Sequence, residues 1–269
     1  MGNFKPKIDP ALSDFAVSLA KRAGELVMRY YTAPKEIELK GEIDLVTTAD
    51  RASEELICTE IREKFSQHGI LSEEGSSSQT EADWLWVIDP LDGTTNYAHR
   101  YPFFCVSIAL QYKGVSQIGV VYEPLRGELF CAVRGQGAMV DGYPIQVSPT
   151  DKLSKSFLAT GFAYDIRESL CDNLDNFSRF AKSAFAIRRG GSAALDLAYV
   201  ACGRFDGFWE LKLFPWDTAA GILLVEEAGG RTSRFSGARF SISDRDILAT
   251  NGRIHQEMMD TLSQSRMPE

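Results

Sequence analysis

Residues 89 to 95 read Asp-Pro-Leu-Asp-Gly-Thr-Thr, two carboxylates three positions apart, entered through the apolar run Trp86-Val87-Ile88. A buried charge without a partner is costly, so acids at the end of a hydrophobic segment call for something positive. Two carboxylates held this close repel each other unless a hard cation lies between them. An oxygen-only donor set suits Mg²⁺ or Ca²⁺ better than zinc. The peptide carbonyl of Leu91 is placed to add another oxygen. Gly93, Thr94 and Thr95 then offer backbone N–H groups at a turn or helix N-terminus, where an anion fits. Cation ligands beside a phosphate cradle are the parts of a metal-assisted phosphatase. The competing reading is a surface turn closed by Asx hydrogen bonds, because Asp, Pro and Gly are all turn residues.

Three further groups of acids stand at element boundaries: Asp50, Glu73-Glu74 and Asp217. Each has an ordinary explanation. Asp217, opening DTAAGILLVEEAGG, would be a good N-cap, worth about 1 kcal/mol. Asp50 would complement a helix dipole, and Glu73 with Glu74 would be a solvated loop pair. Lys40, Arg188 and Arg189 are candidate phosphate contacts or plain surface cations. The D-x-x-D-G-T spacing also differs by one residue from the D-x-D-G-T of aspartyl-nucleophile phosphatases. The extra position, filled by Pro90, argues against a covalent phosphoaspartate.

The elements that must carry these residues can be traced in order. Asp9-Pro10 signals a helix start, followed by a face of Leu12, Phe15, Leu19, Ala23, Leu26 and Tyr30. IELKGEIDLVTTAD reads as extended segments turning at Lys40-Gly41. A second helix starts near Thr48, with Asp50 in its first turn and Leu56, Ile57, Ile61 and Phe65 inside. GSSSQTEAD reads as an exposed loop. WLWVIDP reads as a buried strand that ends at Asp89, with Asp92 folding back toward it across a turn. CVSIALQY, QIGVVYEP, GELFCAVR and GAMVDGYPIQV read as an antiparallel meander turning at Lys113-Gly114, Arg126-Gly127 and Asp141-Gly142. The pattern changes near Ser148 to Asp151, which divides the chain into residues 1–149 and 150–269, intimately packed as one functional unit. In the second part SFLAT, FAIRRGG and FDGFWE read as strands, and SAALDLAYVACG and DTAAGILLVEEAGG as helices closed by glycine.

The totals narrow the function. A chain of 269 residues, 44% hydrophobic and 25% charged, has the composition of a globular protein. Its net charge of −8 speaks against a general nucleic-acid binder and would repel an anionic substrate unless local cations reversed the field. Five cysteines without a C-x-x-C read as reduced, mostly buried and cytoplasmic, and three scattered histidines make a zinc site improbable. No run approaches a membrane span.

DPLDGTTNYAHRYPFFCVSIAL, preceded by LSEEG and followed by WELKLFPWDTAAGILLVEEAGG, resembles the inositol monophosphatase family. The resemblance covers nearly the whole chain, from the first helix to ILATNGRIHQ. It implies an α+β fold, a layered αβαβα sandwich of the inositol monophosphatase and fructose-1,6-bisphosphatase type, usually as a homodimer. It also implies Mg²⁺-dependent, lithium-sensitive hydrolysis of a small phosphate monoester by metal-activated water, with two or three ions. On the matching positions, Glu73, Asp89 and Asp92 would be metal ligands with the Leu91 carbonyl, and Asp217 would complete a second position with Asp89 and Asp92. Thr94, with Glu73 and Asp50, would position and activate the water. Asp92, Gly93, Thr94, Gly191, Ser192, Ala193 and Glu210 would bind substrate, Glu210 accepting from hydroxyls. One departure stands out: animal members commonly carry histidine where this chain has Phe214, and Lys212, Phe214 and Pro215 look more like bacterial members. Inositol 1-phosphate is the first expected substrate and histidinol phosphate the next, with fructose 1,6-bisphosphate also within the family's reach. A reading of another class is a non-catalytic binding module associated with transcription machinery.

Overall fold

The computed structural model describes residues 8–31, 37–39 and 45–263. The Lys40-Gly41 turn, and Lys40 as a phosphate contact, lie outside the described residues. Helix α1 (Pro10–Tyr31) starts where the sequence signals it, with the Asp9 carboxylate accepting from the Ala11 N–H at 3.0 Å. Its buried face is Phe15, Ala16, Leu19, Ala20, Ala23, Gly24 and Val27. Leu26 and Tyr30 are therefore displaced from the centre of that face by small residues that let the helix sit close to its sheet. Strands β1 (Ile37–Leu39) and β2 (Leu45–Thr47) pair antiparallel and lead into α2 (Thr48–Lys64).

Strands β3 (Gly69–Ser72), β4 (Trp84–Asp92), β5 (Cys105–Tyr112), β6 (Val115–Glu123), β7 (Glu128–Val133), β8 (Ala138–Val140) and β9 (Tyr143–Pro144) form a seven-stranded sheet in chain order. A short helix α3 (Thr94–Ala98) separates β4 from β5. Only the β3–β4 pair is parallel; the rest is the meander, with positive φ at Lys113-Gly114 and Asp141-Gly142 matching two-residue hairpin turns.

After a 3-10 turn at Leu153–Lys155 come β10 (Phe157–Thr160), α4 (Leu174–Ser183), β11 (Ala186–Arg188), α5 (Ala193–Ala201), β12 (Gly207–Leu211), α6 (Pro215–Glu227), β13 (Arg231–Ser233), β14 (Asp246–Thr250) and α7 (His255–Ser263). The second sheet has five strands in the order β11-β10-β12-β14-β13. Helices α1 and α2 cover one face of the large sheet, α5 and α6 lie between the sheets, and α4 and α7 cover the outer face of the small one. The result is a five-layered αβαβα sandwich. Every residue of α5 is buried, as expected of a helix that is apolar all round and packed on both sides. At Gly119 on β6 a Cβ would lie 2.7 Å from the Ala220 carbonyl, so glycine there lets α6 settle onto the large sheet.

Candidate metal centre and substrate cleft

Asp89 does not end its strand. Strand β4 continues to Asp92, and its register against β5 shifts between the two acids: Asp89 pairs with Ser107 and Asp92 with Cys105. Residues three apart on a regular strand face opposite sides. Here Pro90 and Leu91 together oppose the single residue Val106, a bulge that restores parity and turns both carboxylates to the same face. Proline suits the position because it has no N–H to lose from the ladder. The Leu91 N–H donates to Asp89 Oδ1 at 3.0 Å, and the Thr94 hydroxyl donates to the Leu91 carbonyl at 3.1 Å. Gly93 follows at φ 93°, where a Cβ would stand 2.9 Å from the Phe103 carbonyl, so glycine is required both by φ and by space.

Asp92 is held from the far half of the chain. Its Oδ2 accepts from the Ser192 hydroxyl at 2.6 Å and the Ala194 N–H at 2.8 Å, both at the start of α5. Asp217 stands in the first turn of α6, but not as the N-cap. The helix opens one turn earlier than the DTAAG reading, on Pro215 with Phe214 as cap, and Asp217 Oδ2 accepts the Phe214 N–H at 2.7 Å. One oxygen from each of Asp89, Asp92 and Asp217 lies within 4.8 Å of the others. Burial raises the Asp89 carboxyl well above its ordinary range, reinforced by Glu73, Asp92, Asp217 and Asp50 in that order. Burial likewise raises Asp217, followed by Asp92. Asp92 is pushed up to about 6 by burial, held back by the Ser192 and α5 N–H hydrogen bonds. Acids that raise one another this way, converging as an oxygen-only set, fit a hard divalent cation.

The three aspartates open onto a cleft of about 170 Å³. Its carboxylate end is completed by Glu73, Leu91, Gly93 and Thr94, and its other end by Gly191, Ala193, Glu210, Arg189, Lys212 and Phe214. Asp50, on α2, is buried behind the carboxylate end and is not among the residues lining it. Glu210 stands against Gly161, where a Cβ would overlap its carboxylate at 2.1 Å. Burial pushes Glu210 up to about 8, opposed by the Arg189 guanidinium. Lys212 is occupied by Asp165 at 2.7 Å and the Ser169 hydroxyl at 2.6 Å, which ties the segment after β10 to the rim.

The inositol monophosphatase family profile matches residues 10–267. The chain belongs to the inositol monophosphatase family. It is 45% identical over 262 residues to the inositol-1-monophosphatase of Synechocystis sp., covering 97% of this chain and 91% of the relative. It is also 45% identical to the Nus factor SuhB of Escherichia coli K12, covering 91% and 93% of the two chains. The solved inositol monophosphatase of Anabaena (Nostoc) sp. superposes with a TM-score of 0.87 at 45% identity, over 95% of this chain and 96% of that one. This family member is a phosphatase.

Within the family fold, Glu73, Asp89, Leu91, Asp92, Gly93, Thr94, Gly191, Ser192, Ala193, Glu210 and Asp217 all line the cleft. Ser192 is only 1% exposed and its hydroxyl is turned to Asp92, so its side chain orients a carboxylate. Arg188 is turned away, with its guanidinium over the Phe157 ring, whereas Arg189 reaches the cleft. Two contributors escaped the sequence reading. Asn96 donates to the Phe103 carbonyl at 2.7 Å and the Gly190 carbonyl at 2.9 Å, joining α3 to the Gly190-Gly191 wall. Asp196, on α5, is buried and raised by burial first and then by Glu210. The Asn96 position follows directly on Gly-Thr-Thr, which was a usable signal; Asp196 lies inside an apolar helical run and gave none.

Proposed function

We propose that the chain hydrolyses inositol 1-phosphate with Mg²⁺ bound at its carboxylate centre. The convergence of Asp89, Asp92 and Asp217 within 4.8 Å is the observation that carries this reading. Glu73, Asp89, Asp92 and the Leu91 carbonyl would hold one ion, and Asp217 with Asp89 and Asp92 a second, with two or three ions in all. Divalent ions there supply charge neutralisation for the phosphate and acidify water. The chain's own residues do the rest. Backbone N–H groups of Gly93 and Thr94 bind the phosphate oxygens. Thr94, with Glu73 and Asp50, positions and activates the attacking water, Asp50 acting from behind the cleft wall. Gly191 and Ala193 shape the wall against the alcohol half, and Glu210 accepts from its hydroxyls.

The 45% identity to a relative named inositol-1-monophosphatase supports this substrate over histidinol phosphate or fructose 1,6-bisphosphate. The domain division near residues 149 and 150 is supported by the separate strand sets of the two sheets. A homodimer is supported by the exposed Phe185 and Leu170 and by β11 lying at the edge of its sheet. No described helix is long and apolar enough to cross a membrane, and the five cysteines are free, which supports a reduced, cytoplasmic setting. A second role beside transcription machinery has support only from the relatives named Nus factor SuhB. The acidic net charge favours contact through protein rather than directly with nucleic acid.

A phosphate-release assay on inositol 1-phosphate, with and without Mg²⁺, tests the reading. Release that requires Mg²⁺ and falls at millimolar Li⁺ is expected; no release at any Mg²⁺ concentration would sink it.

A further inference from the structure

Helix α2 carries three polar side chains that are buried on one face: Asp50, Ser53 and Glu54, at 1%, 0% and 5% exposure. Positions i, i+3 and i+4 are neighbours on a helix surface, so the three form one patch. Asp50 lies behind the carboxylate centre, near enough to help raise the Asp89 carboxyl, after burial, Glu73, Asp92 and Asp217. The Ser53 hydroxyl donates to the Pro90 carbonyl at 2.9 Å, inside the bulge that turns Asp89 and Asp92 together. The Glu54 carboxylate accepts from the Ser76 N–H at 3.2 Å and the Ser76 hydroxyl at 2.8 Å. Two turns farther along, Arg62 donates to the Ser76 carbonyl at 2.6 Å.

Ser76 belongs to the loop that begins with Glu73. The loop is closed at its base by two Ile70–Ser78 backbone hydrogen bonds of 2.8 Å and by the Ser77 hydroxyl on the Ser72 N–H at 3.0 Å. The Glu73 N–H also donates to the Ile88 carbonyl of β4 at 3.3 Å, and the far side of the loop is held to α2 at Ser76. One helix thus grips the Glu73 loop with one hand and the Asp89–Asp92 bulge with the other.

We propose that Glu54 is a positioning residue of the metal centre: by latching Ser76, it sets the separation of Glu73 from the Asp89–Asp92 pair. The proposal rests on the metal reading given above. Carboxylates that fix ligand-bearing segments govern metal affinity, commonly by 10-fold to 100-fold. The energetic reason is that a pre-set ligand need not be ordered when the ion arrives.

The test is Mg²⁺ titration calorimetry on the full chain and on Glu54→Ala, Glu54→Gln and Ser76→Ala, with hydrogen exchange of the metal-free proteins. Glu54→Ala should weaken Mg²⁺ binding by about tenfold, lower kcat at fixed Mg²⁺, and leave KM within twofold. Ser76→Ala should shift affinity in the same direction by less, and speed exchange in the segment 73–77. Glu54→Gln, which keeps one acceptor, should recover part of the loss. A loss common to both Glu54 variants but absent from Ser76→Ala overturns the latch and assigns the effect to charge. If Glu54→Ala does not fold, Ser76→Ala decides alone. Both folded variants binding Mg²⁺ within twofold of the unaltered protein overturns the latch only. An unaltered protein that takes up no Mg²⁺ removes the metal reading and the latch with it.

Discussion

Asp89, Asp92 and Asp217, at one end of the cleft, each accept a backbone N–H hydrogen bond, and Asp92 also accepts the Ser192 hydroxyl. At the other end, Glu210 accepts no hydrogen bond and Arg189 forms no ion pair among the described residues. The contrast fits the roles proposed for the two ends. Charge stabilisation depends on groups already oriented before the reaction. Recognition of an alcohol can use side chains that adapt, and a site built that way tolerates several alcohols. On the proposed function, the reacting end is thus overdetermined and the selecting end is left open.

Substitutions at the two ends should separate accordingly. Asp89→Asn at the reacting end should abolish Mg²⁺-dependent turnover, by about a thousandfold or more, with an unchanged far-UV circular dichroism spectrum. Near-full phosphate release from that variant would erase the distinction. Ser192→Ala is the sharper case, because family resemblance assigns Ser192 to substrate while the structure turns it to Asp92. Loss of a hydrogen bond to a charged group costs about 1.5–3 kcal/mol. Steady-state kinetics should therefore show kcat reduced with KM little changed; a rise confined to KM would return Ser192 to the selecting end. Glu210→Gln should raise KM for inositol 1-phosphate by about tenfold and spare a phosphate ester that lacks hydroxyls.

A smaller effect concerns pH. Asp89, Asp217, Asp92 (about 6) and Glu210 (about 8) are raised by burial above the range of about 4 expected in the unfolded chain. Between about pH 4 and 8 the metal-free folded protein therefore holds more protons than the unfolded chain, and these groups make it less stable as pH rises. Mg²⁺ held by Asp89, Asp92 and Asp217 would replace the protons on those three, so the increase in Tm on adding Mg²⁺ should be larger at pH 8 than at pH 5.5 by scanning calorimetry. His255, lowered to about 4 by burial, acts in the opposite sense, removing stability as pH falls below 6.5. It lies between Ser233 and Thr250, so its effect cancels in the difference with and without Mg²⁺. Equal Tm increases at both pH values would contradict the raised carboxylates.

Much of this was legible in the residues because the signals were local. Asp9-Pro10, the Thr48 helix start, the hairpin pairs and the Asp-Pro-Leu-Asp-Gly-Thr-Thr run act within a few positions. What escaped depends on distant partners or on parity. The Ser192–Asp92 contact joins residues 100 positions apart. Pro90 reads as a terminator, although pairing with β5 continues beyond it and makes it half of a bulge. Asp217 reads as an N-cap because Asp is a better cap than Phe, yet Pro215 favours the first helical position and moves the start back. Ala16 and Ala20 of α1 carry little hydrophobic weight, so they do not mark the face that packs. Glu54 carries no local signal, because its partner Ser76 stands 22 positions away.

The most direct measurement is a crystal structure of the protein grown or soaked with Mn²⁺, with anomalous differences recorded at a wavelength sensitive to manganese. Mn²⁺ stands in for Mg²⁺ as a hard, oxygen-seeking ion. The account predicts an anomalous peak bounded by Asp89, Asp92 and Asp217, with carboxylate oxygens about 2.1 Å away, close to the distance expected for Mg²⁺. Under conditions where Mn²⁺ supports phosphate release, an empty carboxylate cluster or a peak elsewhere in the fold would contradict it.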